Sequence, residues 1–542
     1  MNPSVNKKIV HYSLFIVYCS LFICSCRPNH PSASESFRDG RVEVIPQPRQ
    51  TKLCEGVFDV GKDVNIICQK ELNDVVSLFN KRLSDVMGLT FPVETKGGSN
   101  GNITLKVAPA IAEKEGKKSS ELQEGYALVI NPSCIRIEAS AVEGVFYGLQ
   151  TLQQMILNSK DGKIPCCSIA DSPRFAWRGV MLDVSRTFMP VNLLKRYIDL
   201  FAEYKLNVLH LHLTDDQGWR IEIKQYPRLT LVGSKFAPEF NCMGGYYTQD
   251  EIRELIRYAN LRNITIVPEI DMPGHMCAAI AVYPELSCTG EIPLIHPHLE
   301  GPGIHEEVFC AGKESTYQFI FNVLDEIMSL FPTTYIHIGG DEVPKAYWKA
   351  CPDCQKMIAD NQLKDEEELQ SYFVSRLGTY LREKGRTLVG WDEIIDGGKL
   401  TGNEVIMYWR TRNQTEVEKA IKSGFRVVCT PRSHCYFDYS YDEVKNQSPV
   451  PISTQKIFEY EPVMEGTPEE NYIGVQANFW SHIDRSEYNI DKQLFPRLLG
   501  LAETAWSLPN KKDWEHFKEI TRKDIDRLKT IDDVNVYNDL SL

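Results

Sequence analysis

The chain has 542 residues, too many for one ordinary hydrophobic core and enough for about two to four domains. With 43% hydrophobic and 25% charged residues it has the composition of a folded globular protein, which excludes extensive disorder. A formal net charge of -13, with no basic stripe carrying interleaved aromatics, argues against nucleic acid as a partner.

At the N-terminus, Lys7 and Lys8 precede the apolar run SLFIVYCSLFICSC. The run is too short and too poorly flanked to span a membrane, and reads as a signal peptide over residues 1–25. It closes on Ile23-Cys24-Ser25-Cys26, which resembles a bacterial lipobox. Cys26 is therefore expected to become the lipidated first residue of an exported protein, held in the bacterial envelope only through a lipid anchor. The periplasmic and the cell-surface face of the outer membrane both fit. Residues 26–40, RPNHPSASESFRDG after the cysteine, read as a flexible tether.

Residues 41–172 combine strands, such as NITLKVAP and GYALVINPSCIRIEA, with two helices, DVVSLFNKRLSDVMG and VEGVFYGLQTLQQMIL. They predict a smaller α+β accessory domain. Past the turn DSPRF the rhythm changes, and eight strand candidates alternate with amphipathic helices. The strands are RGVMLDVSR, NVLHLHLTDD, ITIVPEID, TYIHIGGDE, TLVGWDE, EVIMYWR, RVVCTPR and YIGVQANFWSH. Helices are expected at 190–206, 248–263, 315–331, 365–384 and 415–423. This α/β alternation predicts a (β/α)8 TIM barrel over residues 173–542, closed by a C-terminal helix.

Active groups in such a barrel sit at the C-terminal ends of the strands, and that is where the polar residues of this chain gather. In strand order they are Asp183 and Arg186; Asp215, Asp216 and Trp219; Glu269, Asp271 and His275; Asp341 and Glu342; Trp391, Asp392 and Glu393; Trp409 and Arg410; Tyr436 and Asp438; Trp480 and His482. Acids, an arginine and tryptophans around one mouth suit a sugar, whose C–H faces stack on rings and whose hydroxyls bond carboxylates and guanidinium. Glycoside hydrolysis ordinarily uses two carboxyl groups about 5 Å or more apart, on opposite sides of the sugar. The neighbours Asp341 and Glu342 do not readily provide that. One can protonate the leaving oxygen while the other positions a nucleophile belonging to the substrate, such as the N-acetyl group of a hexosamine.

The chain resembles the family 20 glycoside hydrolases, the β-N-acetylhexosaminidases. HIGGDEV is similar to that family's acid motif, HLHLTDDQGWR and PEIDMPGH are similarly characteristic, and RGVMLDVSR resembles its first strand. GVFYGLQTLQQM resembles its accessory domain. The resemblance implies an exo-acting, retaining, substrate-assisted enzyme that needs no cofactor and acts on an oligosaccharide or glycoconjugate. Glu342 would be the acid and then the base, with Asp341 orienting the acetamido group and Tyr436 binding its oxygen. Asp215 and His275 would form a relay with Glu342. Arg186 and Asp438 would hold hydroxyls, and Trp391, Trp409 and Trp480 would wall the pocket. One position departs: where the family has a glutamate two residues after the last tryptophan, this chain has His482. That exchange suggests a pocket that tolerates or prefers a modified O6, such as a sulfate, or a changed O4 configuration.

Two rival readings remain. His210, His212, His275, His337 and Asp341 could be ligands of a metal-dependent hydrolase, although His210 and His212 lie deep enough to be core residues. A non-catalytic sugar-binding lipoprotein is the other, disfavoured because a pure binder needs no proton donor. Among the 16 cysteines, two fall in the leader and a third is Cys26 at its boundary. Cys288 and Cys310 bracket a loop and could pair in an oxidising compartment. Cys351-Pro352-Asp353-Cys354 has the spacing of half a zinc site, but with no second such pair and no histidine at ligand spacing, a loop disulfide or two free thiols is the favoured reading.

Overall fold

Two periodicities run through the chain, one of apolar alternation and one of helical spacing, and the computed structural model shows what each becomes. It describes residues 38–542 except 62–63, 95–101, 109–122, 160, 237–243, 298–302, 442–450 and 482–485. The leader, Cys26 and His482 lie outside the described residues. The described chain forms two units, one reaching Arg174 and including Trp506–Lys523, the other comprising Phe175–Ala505 and Asp524–Leu542.

In the first unit, eight strands form one mixed sheet, in the spatial order 38–39, 50–59, 163–171, 126–131, 134–139, 102–107, 66–67 and 93–94. The helices Asn73–Met87 and Val142–Leu157 are those the sequence predicts. Two features differ from the sequence reading. Arg38 and Asp39, assigned to the tether, pair with Leu53 and Lys52 as a short antiparallel strand. Trp506–Lys523, assigned to the barrel, groups with this unit instead. The reason is a buried polar anchor: Asp171 accepts from Tyr126 Oη at 2.7 Å and from Trp506 Nε1 at 3.0 Å.

The second unit is a closed barrel of eight parallel strands in sequence order. They are β1 (Trp177–Asp183), β2 (Val208–His212), β3 (Thr265–Glu269), β4 (Tyr335–His337), β5 (Thr387–Trp391), β6 (Val405–Tyr408), β7 (Arg426–Cys429) and β8 (Tyr472–Phe479). β8 pairs back onto β1, with Gly474 opposite Trp177 and Phe479 opposite Leu182. Val208, Val267, Val389, Val405, Met407 and Val428 fill the interior with Trp177 and Trp391. All five predicted helices are present, beginning with Val191–Glu203 and Gln249–Asn260. The second opens on a reciprocal cap, in which the Thr248 side chain accepts from Glu251 N and the Glu251 side chain accepts from Thr248 N. No helix among the described residues is long and apolar enough to cross a membrane.

Candidate active site

Beyond β4 the chain turns through Gly339 and Gly340, with φ of 67° and 95°. No other residue fits. A Cβ on Gly339 would fall 1.6 Å from Asp271 Oδ1, and one on Gly340 would fall 2.8 Å from Ile394. Glu342 itself adopts φ 47°, and His275 φ 54°, a region that costs a non-glycine residue about 1–3 kcal/mol. The two neighbouring acids thereby reach different surroundings. The Asp341 side chain is buried, 12% exposed, whereas that of Glu342 is 38% exposed. His275 Nε2 stands between them, 3.8 Å from Asp341 Oδ2 and 3.7 Å from Glu342 Oε2.

Behind His275 a chain of alternating charge runs into the barrel. His275 Nδ1 lies 3.2 Å from Asp215 Oδ1 and 3.5 Å from Asp216 Oδ2. Asp215 Oδ2 receives Arg186 at 2.7 Å and His212 Nε2 at 2.9 Å. The other His212 nitrogen is 2.5 Å from Glu269 Oε2. Glu269 also meets His210 at 3.1 Å and His337 at 3.0 Å, and accepts from Trp391 Nε1 at 2.9 Å. His210 and His212 both point inward because they alternate along β2.

The electrostatics follow from these neighbours. Burial opposes ionisation of Asp215, but Arg186, His275 and His212 outweigh it and hold the carboxyl well below its usual range. Glu269 is likewise held low against burial by His337, His212 and His210. Burial also opposes charging His275, and Asp215 overcomes it, raising the imidazole well above its ordinary value. His212 is raised in the same way by Glu269 and Asp215, while His210 is dominated by burial and drops to about 4. Asp341 is pushed up to about 6, chiefly by burial, with His275 pulling the other way. Asp271 is raised well above its usual range by burial and by Asp341.

The remaining strands bring rings. Trp391 and Trp480 have centroids 5.7 Å apart, Tyr436 stands 6.2 Å from Trp480, and Trp409 stacks on Tyr436 at 6.0 Å. The Arg186 guanidinium lies 5.0 Å over Trp480. Asp438 is buried, and that burial raises its carboxyl to about 7 despite Arg497 and Arg186. Trp409 Nε1 donates to Glu393 at 2.8 Å.

Of the residues the sequence singles out, the barrel mouth thus brings together Asp215, His275, Asp341, Glu342, Arg186, Trp391, Trp409, Tyr436, Asp438 and Trp480. Trp219 does not join the wall: it is buried in a short ribbon, donating to Ile221 O at 2.8 Å. Glu269, Asp216 and Asp271, placed at the strand ends by the sequence, and His212, read there only as a possible metal ligand, are parts of the site to which sequence reasoning gave no role in sugar chemistry. The signal was available in β2 and β3, where polar residues interrupt runs that should be wholly apolar.

The proposed metal ligands are also redistributed. His210, Glu269 and His337 have ligand-type atoms within 4.8 Å of one another. Both Glu269 oxygens, however, already bond protein groups, and His275 faces Asp341 from a separate cluster. The cysteine expectations change too. Cys288 and Cys310 form no disulfide with each other, whereas Cys351 and Cys354 are not disulfide-bonded, in keeping with the free-thiol branch of the sequence reading.

The catalytic-domain model of glycosyl hydrolase family 20 matches residues 175–509, and that family's domain 2 model matches residues 41–172. The chain belongs to glycosyl hydrolase family 20. Its barrel is therefore the catalytic domain of an enzyme. A β-hexosaminidase of Porphyromonas gingivalis is 36% identical over 92% of this chain, which spans 65% of that relative's length. Among solved structures, a β-N-acetylhexosaminidase of Bacteroides fragilis superposes with a TM-score of 0.80 at 31% identity, covering 93% of this chain and 98% of the other. An exo-β-N-acetylglucosaminidase of Vibrio harveyi, solved with N-acetylglucosamine bound, gives a TM-score of 0.80 at 30% identity over 94% of this chain and 81% of the other.

Proposed function

We propose that this family 20 enzyme is an exo-acting β-N-acetylhexosaminidase, removing terminal β-linked GlcNAc or GalNAc from glycans by a retaining, substrate-assisted reaction. The observation that carries the reading is the pairing of Asp341 and Glu342 on one imidazole nitrogen, at 3.8 and 3.7 Å. Adjacent acids on one imidazole stand on one side of whatever fills the mouth, so they do not flank a sugar. The half-exposed Glu342 protonates the glycosidic oxygen. Asp341, charged once the pH exceeds about 6, holds the acetamido N–H. The acetamido oxygen then attacks the anomeric carbon to give an oxazolinium ion, and water activated by Glu342 opens it with retention. Glu393 is a poor alternative nucleophile, because burial and Asp341 raise it well above its usual range and Trp409 and Arg410 hold it.

His275 faces both acids and is backed by Asp215, an arrangement suited to following the protonation of Glu342 through the cycle. Trp391, Trp409, Trp480 and Tyr436 enclose the acetamido group and the ring face, while Arg186 and Asp438 bond hydroxyls. His482 in place of the family's glutamate widens the reading to O6-modified substrates such as 6-sulfated GlcNAc. Lipidation at Cys26 would place the enzyme at the bacterial envelope, scavenging glycans there.

The deciding experiment compares release from an aryl β-N-acetylglucosaminide and from the matching β-glucoside. Fast release from the first and almost none from the second is expected, since only the first carries the nucleophile. Similar rates on both would overturn substrate assistance. For the O6 reading, equal rates on plain and 6-sulfated substrates, unchanged by His482→Glu, would remove it.

A further inference from the structure

Away from the acid–imidazole cluster, four cysteines converge on one point. Cys288 and Cys310 lie on the connection that follows β3, Cys351 and Cys354 on the one that follows β4. Cys351 caps the helix Pro352–Asp360 and Cys354 sits in its first turn. Three of the four are buried, and Cys288 is half-buried. Their sulfurs are 3.7 Å apart for Cys288 and Cys354, 3.7 Å for Cys310 and Cys351, and 3.6 Å for Cys310 and Cys354. All four lie within 4.8 Å of one another.

These spacings discriminate between chemistries. A zinc ion bound tetrahedrally with Zn–S of about 2.3 Å sets its sulfurs about 3.8 Å apart. Two disulfides would instead bring the sulfurs together in pairs at about 2 Å. An iron–sulfur cluster, several atoms across, would hold them farther apart. The backbone around the sulfurs is built to this spacing. Ser287 bridges Phe309, and Cys310 N donates to Leu286 O at 2.8 Å, fixing Cys288 against Cys310. Lys313 Nζ donates to Ser287 O at 2.6 Å and Glu285 O at 3.1 Å, bracing the same turn. Trp348 Nε1 reaches across to Phe309 O at 2.9 Å. Gly312 lies directly on the Cys-x-x-Cys backbone, where a Cβ would come 2.3 Å from Cys354 N. Two single cysteines and one close pair, too dispersed in sequence to read as a zinc motif, become a complete ligand set.

We propose that Cys288, Cys310, Cys351 and Cys354 bind one structural zinc ion as thiolates. Four protein ligands leave no open position, so the ion takes no part in the reaction. Its place gives it a positioning role. It clips the β3 connection, which carries His275, to the β4 connection, which carries Asp341 and Glu342. Phe309 N donates to Pro273 O at 2.9 Å, two residues before His275, so the clip is tied directly to the histidine's turn.

The test is metal analysis of the full-length protein purified without chelator, and it is independent of the sugar reading. About one zinc per chain is expected. Protein produced in cobalt medium should show thiolate-to-cobalt charge transfer and the intense d–d bands of a tetrahedral site. Cys310→Ser and Cys354→Ser should each lose most of the metal, whereas Cys68→Ser should retain it. If the ligand variants do not fold, the cobalt spectrum of the unaltered chain decides. Metal-free protein with all four thiols alkylated would overturn the proposal. So would a chain roughly four hydrogens lighter than its reduced form, with these four cysteines protected as two disulfides, or iron in place of zinc.

Discussion

Strands β1 to β4 deliver charges to the barrel mouth, and strands β5 to β8 deliver rings. Both halves bury carboxylates, yet the acids do not all behave alike: Asp341 and Asp271 in the first half are raised by burial, whereas two of their neighbours are not. Asp215 and Glu269 are held well below their usual range because each has several cationic or imidazole neighbours. On the other side, burial pushes Asp392 up to about 6 and Glu393 well above its usual range, with Arg410 the principal cation opposing it. Burial is common to all of them, so the number of positive partners decides which acids stay ionised. The first half is thereby equipped to move protons and the second to shape a pocket.

The comparison is sharpest at the acid itself. Glu342→Gln is expected to lower kcat on substrates with poor leaving groups by about 10²–10⁴ while leaving KM little changed. Steady-state kinetics check this, and a comparable fall in kcat from an aromatic-side variant would erase the division of labour. Asp341→Asn should cost about 10²–10³ in kcat.

The same substitution tests the electrostatics. The raised value of about 6 means that wild-type activity should climb as pH rises through 6, and that this limb should vanish in the variant. The stability sign is opposite to the usual carboxylate case. A folded pKa above the unfolded one means the native state binds the proton more tightly, so the contribution of Asp341 is fully present below about 4 and is lost as pH rises through about 6. Asp341→Asn should therefore stabilise the protein at pH 7, by up to about 3 kcal/mol in denaturant titrations. A destabilised variant would show that the carboxylate is better solvated than its burial implies.

Glu269→Gln should break the buried chain, leaving His212 between one acid and an amide, and cost about 3 kcal/mol of stability. An unchanged melting temperature would mean the chain adapts by shedding a proton. The smallest effect is expected for Trp409→Phe, which keeps the ring but removes the bond to Glu393. It should raise KM through a loss of about 1 kcal/mol, with kcat nearly intact.

Much of this was legible along the chain. Apolar alternation, helical spacing and capping residues act over a few neighbours, so all eight barrel strands and the five helices could be read locally, and the gathering of polar residues at strand ends exposed the mouth. Adjacency made Asp341 and Glu342 conspicuous, and family motifs assigned them roles. Other features needed closure of the fold. Glu269 is a hub only because β3 packs beside β2 and β4, which brings His210, His212 and His337 onto one carboxylate. Trp219 resembled the other tryptophans in sequence, and only its short ribbon turned it into the core. Trp506 left the barrel for the first unit because Asp171, far upstream, accepts its N–H. The four cysteines show the limit most plainly. Sequence spacing offered a Cys288–Cys310 pair and, for Cys351 and Cys354, a loop disulfide or two free thiols, but did not bring the four together, because which sulfurs meet depends on where two connections cross in space, and the intervening residues carry no period that encodes it.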